Sequence, residues 1–219
     1  MLENGYEIID KYDMEIPLDV LAEELSQFDL EACKGGIRNI DKKSASVFSF
    51  CNSSSILDFV SNYLSAQPKL VRAIYFNKTP SNNWLVSWHQ DRTVAVSHKF
   101  ESDEWGPWTI KDGVHHVQPP LSVLEKMVTL RIHIDPSSPE NGCLKLVPNS
   151  HKLGILTQEQ ITNITSAEEH VECSVESGAV LIMRPHLLHS SSKAAKPNNR
   201  RVLHLEYSSY DLPNGIRWA

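Results

Sequence analysis

The sequence predicts a mainly β protein, an antiparallel sandwich or barrel with helices from its N-terminal part laid over one outer face. Seven short segments rich in Val, Ile, Leu and aromatic residues follow residue 67, at 69–76, 84–96, 127–134, 143–148, 171–175, 178–183 and 202–209. Clusters of turn-forming residues separate them, which is the layout of sandwiches and barrels. Up to about residue 67 the chain reads as mostly helical.

Residues 5–10, GYEIID, read as a short strand. IPLDVLAEELSQF, 16–28, reads as a helix because Leu18, Leu21, Leu25 and Phe28 recur at helical spacing and Pro17 suits a first turn. The paired glycines of ACKGGIRNI, 32–40, read as a loop. A second helix is expected to start near Ser55, with Asp58 three positions on as a capping box, and to carry Ile56, Phe59, Val60, Tyr63 and Leu64. Two insertions interrupt the strands, at 97–120 and 151–170. The first holds Trp105 and Trp108 without clean periodicity, and so reads as a lid whose indoles line a substrate pocket or simply pack within the lid itself. With no linker or repeat, the expectation is one domain over 1–219, in which 1–67 supports a core at 68–210.

A net charge of −6 with scattered Lys and Arg argues against a nucleic-acid partner, since phosphate binding needs clustered cations. MLENGYEIID is not a signal peptide, and no apolar run reaches the roughly 18 residues of a membrane span. A cytoplasmic protein that acts on a small molecule is expected, with no membrane partner; the oligomeric state stays open. Cys33, Cys51, Cys143 and Cys173 show no CxxC spacing and read as reduced thiols, mostly core.

The chemistry begins at WLVSWHQDRTVAV. His89 and Asp91 sit one residue apart in an alternating run, and on a strand such residues share a face. A buried carboxylate beside a histidine is costly without a metal or a cation. The best third ligand lies 100 residues beyond His89, at His189, with His186 as its rival. Two imidazoles and one carboxylate leave about three positions open on an octahedral ion, the arrangement of non-haem Fe(II) oxygenases. A 2-oxo acid chelated there needs its far carboxylate neutralised by a guanidinium. Arg200 and Arg201 follow His189 by 11 and 12 residues, and only one of them can face inward on a strand. Arg200 shares parity with His204 and Glu206, the more polar face, and is preferred; the pattern leaves Arg201 open. His133, His151 and His204 read as packing residues.

WHQD, NGCLKLVPNSHKLG (141–154) and LLHSSSKAAKPNNRRVLHLEYS, in that order, resemble the phytanoyl-CoA dioxygenase family over about residues 70–209. The resemblance implies a double-stranded β-helix (jelly-roll) core, His89, Asp91 and His189 as iron ligands, and Fe(II), 2-oxoglutarate and O2 as the chemical requirements. It also implies Arg200 as the anchor of the 2-oxoglutarate C5 carboxylate with Ser191 as helper, and Arg131 or Thr129 in the same pocket. Some members have a small residue in the carboxylate position and bind halide there; Asp91 points instead to hydroxylation. The competing expectations are a cupin-like metal enzyme of another class and a non-catalytic sensor.

Overall fold

The computed structural model describes residues 2–12, 17–28, 35–213 and 215–219. The chain runs through β1 (Tyr6–Ile9), α1 (Leu18–Ser26), β2 (Ile37–Arg38), α2 (Ala45–Cys51), α3 (Ser54–Ser61) and β3 (Lys69–Lys78). It continues through β4 (Val86–His89), β5 (Val94–Val96), β6 (Trp108–Lys111), β7 (Val114–Val117), α4 (Leu121–Leu124) and β8 (Met127–His133). The remainder is β9 (Leu144–Leu146), α5 (Gln158–Ala167), β10 (Val171–Glu172), β11 (Val180–Met183), β12 (His189–Ser191) and β13 (Arg200–Ser208).

These strands build a jelly roll. The major sheet has the order β1-β11-β8-β13-β3-β2 and the minor sheet β10-β9-β12-β4, all pairs antiparallel. From β3 to β13 the core strands pass repeatedly from one sheet to the other, so neighbours in space are distant in sequence. The two faces of the major sheet differ sharply. Ala73, Tyr75, Val128, Leu130, Ile132, Leu203, Leu205 and Tyr207 join Leu21, Leu25, Val47, Phe50, Ile56 and Val60 of the helices in one buried cluster. Burial of each such aliphatic side chain is worth roughly 1.5–3 kcal/mol, which fixes this face outward against the helices. The alternate residues, among them Arg72, Arg131, Arg200, His204 and Glu206, are buried polar groups that face inward between the sheets.

Several local expectations shift. Part of the loop expected at 32–40 becomes β2, and its residues 32–34, like residue 16 of the expected first helix, lie outside the described residues. The helix expected near Ser55 is capped two residues earlier, where Ser53 Oγ accepts the Ile56 N–H at 3.3 Å. α2, which the periodicity did not reveal, is capped by Ser44 in the same way. The stretch 97–120 is not irregular throughout: β6 and β7 form a hairpin that joins β5 in a third sheet. Trp105 is 7% exposed in a cluster with Val71, Val94, Val96, Val117 and Met127, and Trp108 packs on it. Phe100 lies edge-on to both indoles, 5.1 and 5.3 Å between centroids. Burial of that much aromatic surface makes this part a second core.

Cys51, Cys143 and Cys173 are free and buried; Cys33 lies outside the described residues. Among the described residues no helix is long and apolar enough to cross a membrane.

Candidate metal centre

β4 ends at His89, so the carboxylate arrives through a turn rather than along the strand as the spacing suggested. The turn is held by Gln90, 5% exposed, whose Nε2 donates to the carbonyls of Gly154 and His186 at 2.7 and 2.8 Å and whose Oε1 accepts Leu156 N–H at 2.9 Å. Asp91 N–H donates to the Pro185 carbonyl at 2.9 Å, so both residues beyond the strand are tied to the segment that leads into β12. β12 opens with His189, in register with His89.

The two imidazoles are oriented alike. Nδ1 of His89 donates to the Ser87 carbonyl and Nδ1 of His189 to the Leu187 carbonyl, each at 2.8 Å. A carbonyl only accepts, so both rings carry their proton on Nδ1 and present the Nε2 lone pair inward. His89 Nε2 lies 3.7 Å and His189 Nε2 3.5 Å from the Asp91 carboxylate oxygens, and ligand atoms of all three lie within 4.8 Å of one another. Atoms about 2.1 Å from one shared ion have such separations. Burial opposes ionisation of Asp91, yet His189 and His89 hold its carboxyl well below the usual range. The donor set of two nitrogens and one carboxylate, without a thiolate, fits an Fe(II)-type divalent ion. His186 is turned away: its ring stands 6.1 Å from that of His151 and outside the cluster.

The three groups open onto a cavity of ≈ 290 Å³ whose floor is the inner face of the major sheet. At one end stand Arg200 from β13, Lys78 from β3 and Ser191 from β12. Lys78 Nζ donates to Ser191 Oγ at 2.7 Å and to the Ser192 carbonyl, while Ser191 Oγ donates to the Gly142 carbonyl at 2.8 Å. Gly142 has φ +74°, and a Cβ there would lie 2.5 Å from the Ser192 carbonyl oxygen, so only glycine allows this approach. Arg200 is 2% exposed, and its Nε and Nη1 have no partner. Burial, then the charge of Arg131, lowers its pKa to about 9; burial with Arg200 and Arg131 brings Lys78 to about 7. This end of the cavity thus presents unpartnered cationic donors. Arg201 points the other way, bound to both oxygens of Asp135 at 2.7 and 2.8 Å.

The profile of the phytanoyl-CoA dioxygenase (PhyH) family matches residues 38–202. The chain belongs to that family. No curated protein sequence matches it significantly. Among solved structures, HygX from Streptomyces hygroscopicus with nickel and 2-oxoglutarate bound superposes with a TM-score of 0.67 at 16% identity, over 94% of this chain and 82% of that one. AviO1 from Streptomyces viridochromogenes Tue57 gives 0.69 at 19% identity, over 97% and 93%. SnoK, a non-heme alpha ketoglutarate dependent carbocyclase from nogalamycin biosynthesis, gives 0.64 at 15%, over 95% and 81%. At these identities the likeness establishes the jelly-roll fold.

Within this family member, three expected pocket residues, Thr129, Trp105 and Trp108, stay off the cavity wall among the described residues. Thr129 shares the inner face with Arg131 but stands in the row of Glu206, buried, with Oγ1 unpartnered. Trp105 and Trp108 belong to the second core. Arg131 does line the cavity, and its Nη1 donates to His204 Nδ1 at 3.0 Å. His204 Nε2 then donates to Glu206 at 3.1 Å, and Arg72 Nη2 donates to the same oxygen. Arg131 was expected in the pocket and His204 and Glu206 on the more polar face of the last strand, but Arg72 and Lys78 escaped the sequence reading. The signal was present: Arg72 and Lys78 share parity with Ile74 and Phe76 inside an apolar strand.

Proposed function

We propose that this chain, acting as one domain, is an Fe(II)- and 2-oxoglutarate-dependent dioxygenase that hydroxylates a small organic molecule and releases succinate and CO2. The observation that carries the reading is Arg200, buried with two unpartnered guanidinium nitrogens in the cavity onto which His89, Asp91 and His189 open. A cupin-like metal enzyme of another class has no use for such a group. The bound ligands and substrates of the structural neighbours point the same way.

His89, Asp91 and His189 would hold the iron from one side. When bound, iron supplies the open coordination positions and redox change that couple decarboxylation of a 2-oxo acid to oxidation of a C–H bond. Arg200 and Lys78 would receive the C5 carboxylate, each through charge-assisted hydrogen bonds, with Ser191 fixing the Lys78 ammonium. The backbone carbonyls of Ser87 and Leu187 keep both imidazole tautomers constant, so no ligand proton moves during turnover. Phe76 and Trp84 wall the cavity.

The test is 2-oxoglutarate consumption and succinate formation in the presence of Fe(II) and O2, which proceeds slowly even without the primary substrate. His89→Ala abolishes it. Normal turnover in Arg200→Gln would sink the reading.

A further inference from the structure

The cavity end remote from Arg200 is also cationic. Arg38 of β2 stands opposite Ile74 of β3, so it extends the inner face of the major sheet at its edge. Arg72 lies one inward-facing position from Ile74 on the same strand, and Lys111, at the end of β6, reaches in from the third sheet. All three line the cavity. His116 of β7 is 1% exposed with Nδ1 unpartnered, and burial together with the charges of Arg72, Lys111 and Arg38 drives its pKa down to about 4. Lys111 is lowered by burial and by Arg72 and Arg38. The three cations therefore act on one another across a small space.

The acids nearby offset them in part. Burial opposes the Arg72 charge, yet Glu206, which accepts from Arg72 Nη2, and Asp91 hold its pKa above the ordinary value; Arg72 Nε stays buried without a partner. Asp112, exposed at the β6–β7 turn, sits 3.6 Å from Arg38. Asp91 belongs to the metal centre. Among the described residues, the cavity wall carries six Lys and Arg side chains against Asp91, with Glu206 paired to Arg72 behind the wall, so the cations remain in excess. A divalent ion and the 2-oxoglutarate dianion neutralise each other, so loading the site leaves the cationic excess in place.

From this we infer that the primary substrate is a small organic anion, a carboxylate or a phosphate ester, whose charged group is received between Arg38, Arg72 and Lys111. The rest of the molecule then extends past Ile74 and Thr93 toward Asp91. This rests on the proposed function and deepens it by naming the substrate class. A polycationic aminosugar such as hygromycin B, which HygX binds, meets like charge here.

The experiment is anaerobic titration calorimetry on the full chain loaded with Mn(II) and saturating 2-oxoglutarate, so that the Arg200 end is occupied. The probes are benzoate, inorganic phosphate and hygromycin B. Benzoate or phosphate binds, more weakly as NaCl is raised, and the tighter of the two identifies the source. The Arg38→Gln/Lys111→Gln variant loses about tenfold or more of that affinity, while its 2-oxoglutarate affinity stays within about threefold. If 2-oxoglutarate itself does not bind, the proposed function falls and takes this inference with it. If 2-oxoglutarate binds but neither anion does, if the double substitution has no effect, or if only hygromycin B binds, the substrate class alone is wrong.

Discussion

Arg200 and Lys78 illustrate how a single missing charge is written into the residues around it. Each is buried, and burial, followed by the charges of Arg200 and Arg131, brings Lys78 to about 7. A dianion placed between them favours the ammonium form. At pH values above about 7 the empty cradle holds a neutral amine, so 2-oxoglutarate binding takes up a proton and its affinity falls as pH rises from about 7 toward the ordinary lysine range. Calorimetry at pH 8 in buffers of different ionisation enthalpy measures that uptake, and Lys78→Met removes it. Arg200→Gln weakens 2-oxoglutarate about 10- to 100-fold, the scale of a lost charge-assisted hydrogen bond of about 1.5–3 kcal/mol. The choice between Arg200 and Arg201 was legible as far as parity goes. What the sequence lacked was the destination of each face: Arg201 finds Asp135 and the Ala22 carbonyl of α1, groups that lie 66 and 179 positions away.

At the scale of elements, the hairpin of β6 and β7 shows where local reading stops. Its turn, Asp112-Gly113, is a strong hairpin signal, yet the flanking strands are too polar and too short to declare themselves. Their apolar partners, Val71 and Met127, belong to other parts of the chain. Because Trp105 fills that core, Trp105→Ala lowers folding stability by about 3–5 kcal/mol, read by urea denaturation, and leaves 2-oxoglutarate binding to the remaining folded protein intact. Gln90 works the same way between segments. Gln90→Leu strands three backbone groups, two of them buried at a cost of roughly 1–3 kcal/mol each when unsatisfied, and frees the segment that carries Asp91. The expected readout is a lower denaturation midpoint together with weaker Mn(II) binding.

Across the whole molecule, His89 and Asp91 come from one third of the chain and His189 from another, and they meet only when β4 and β12 have paired. The unfolded chain offers no comparable site. Metal and 2-oxoglutarate thus stabilise the native state by mass action, about 2.7 kcal/mol at a hundredfold excess over Kd. For a chain of this size that corresponds to a rise in Tm of about 5–10 °C, and a chelator reverses it; differential scanning fluorimetry with Mn(II), with 2-oxoglutarate and with EDTA makes the comparison. The strands themselves were visible in composition, and their antiparallel arrangement in the spacing of turns. The order in which they pair was not, since every core pairing between β3 and β13 or β8 and β13 closes a loop far longer than any sequence window.

β4 is four residues long and forms the outer border of the minor sheet, with β12 as its only ladder neighbour among the described residues. One imidazole of the metal centre sits on each side of that seam. An ion seated there is also a rivet. Its removal leaves a frayed margin of open amide and carbonyl groups, the kind of seam onto which a second molecule can zip, so chelated stocks of this protein are expected to self-associate on storage sooner than metal-loaded ones.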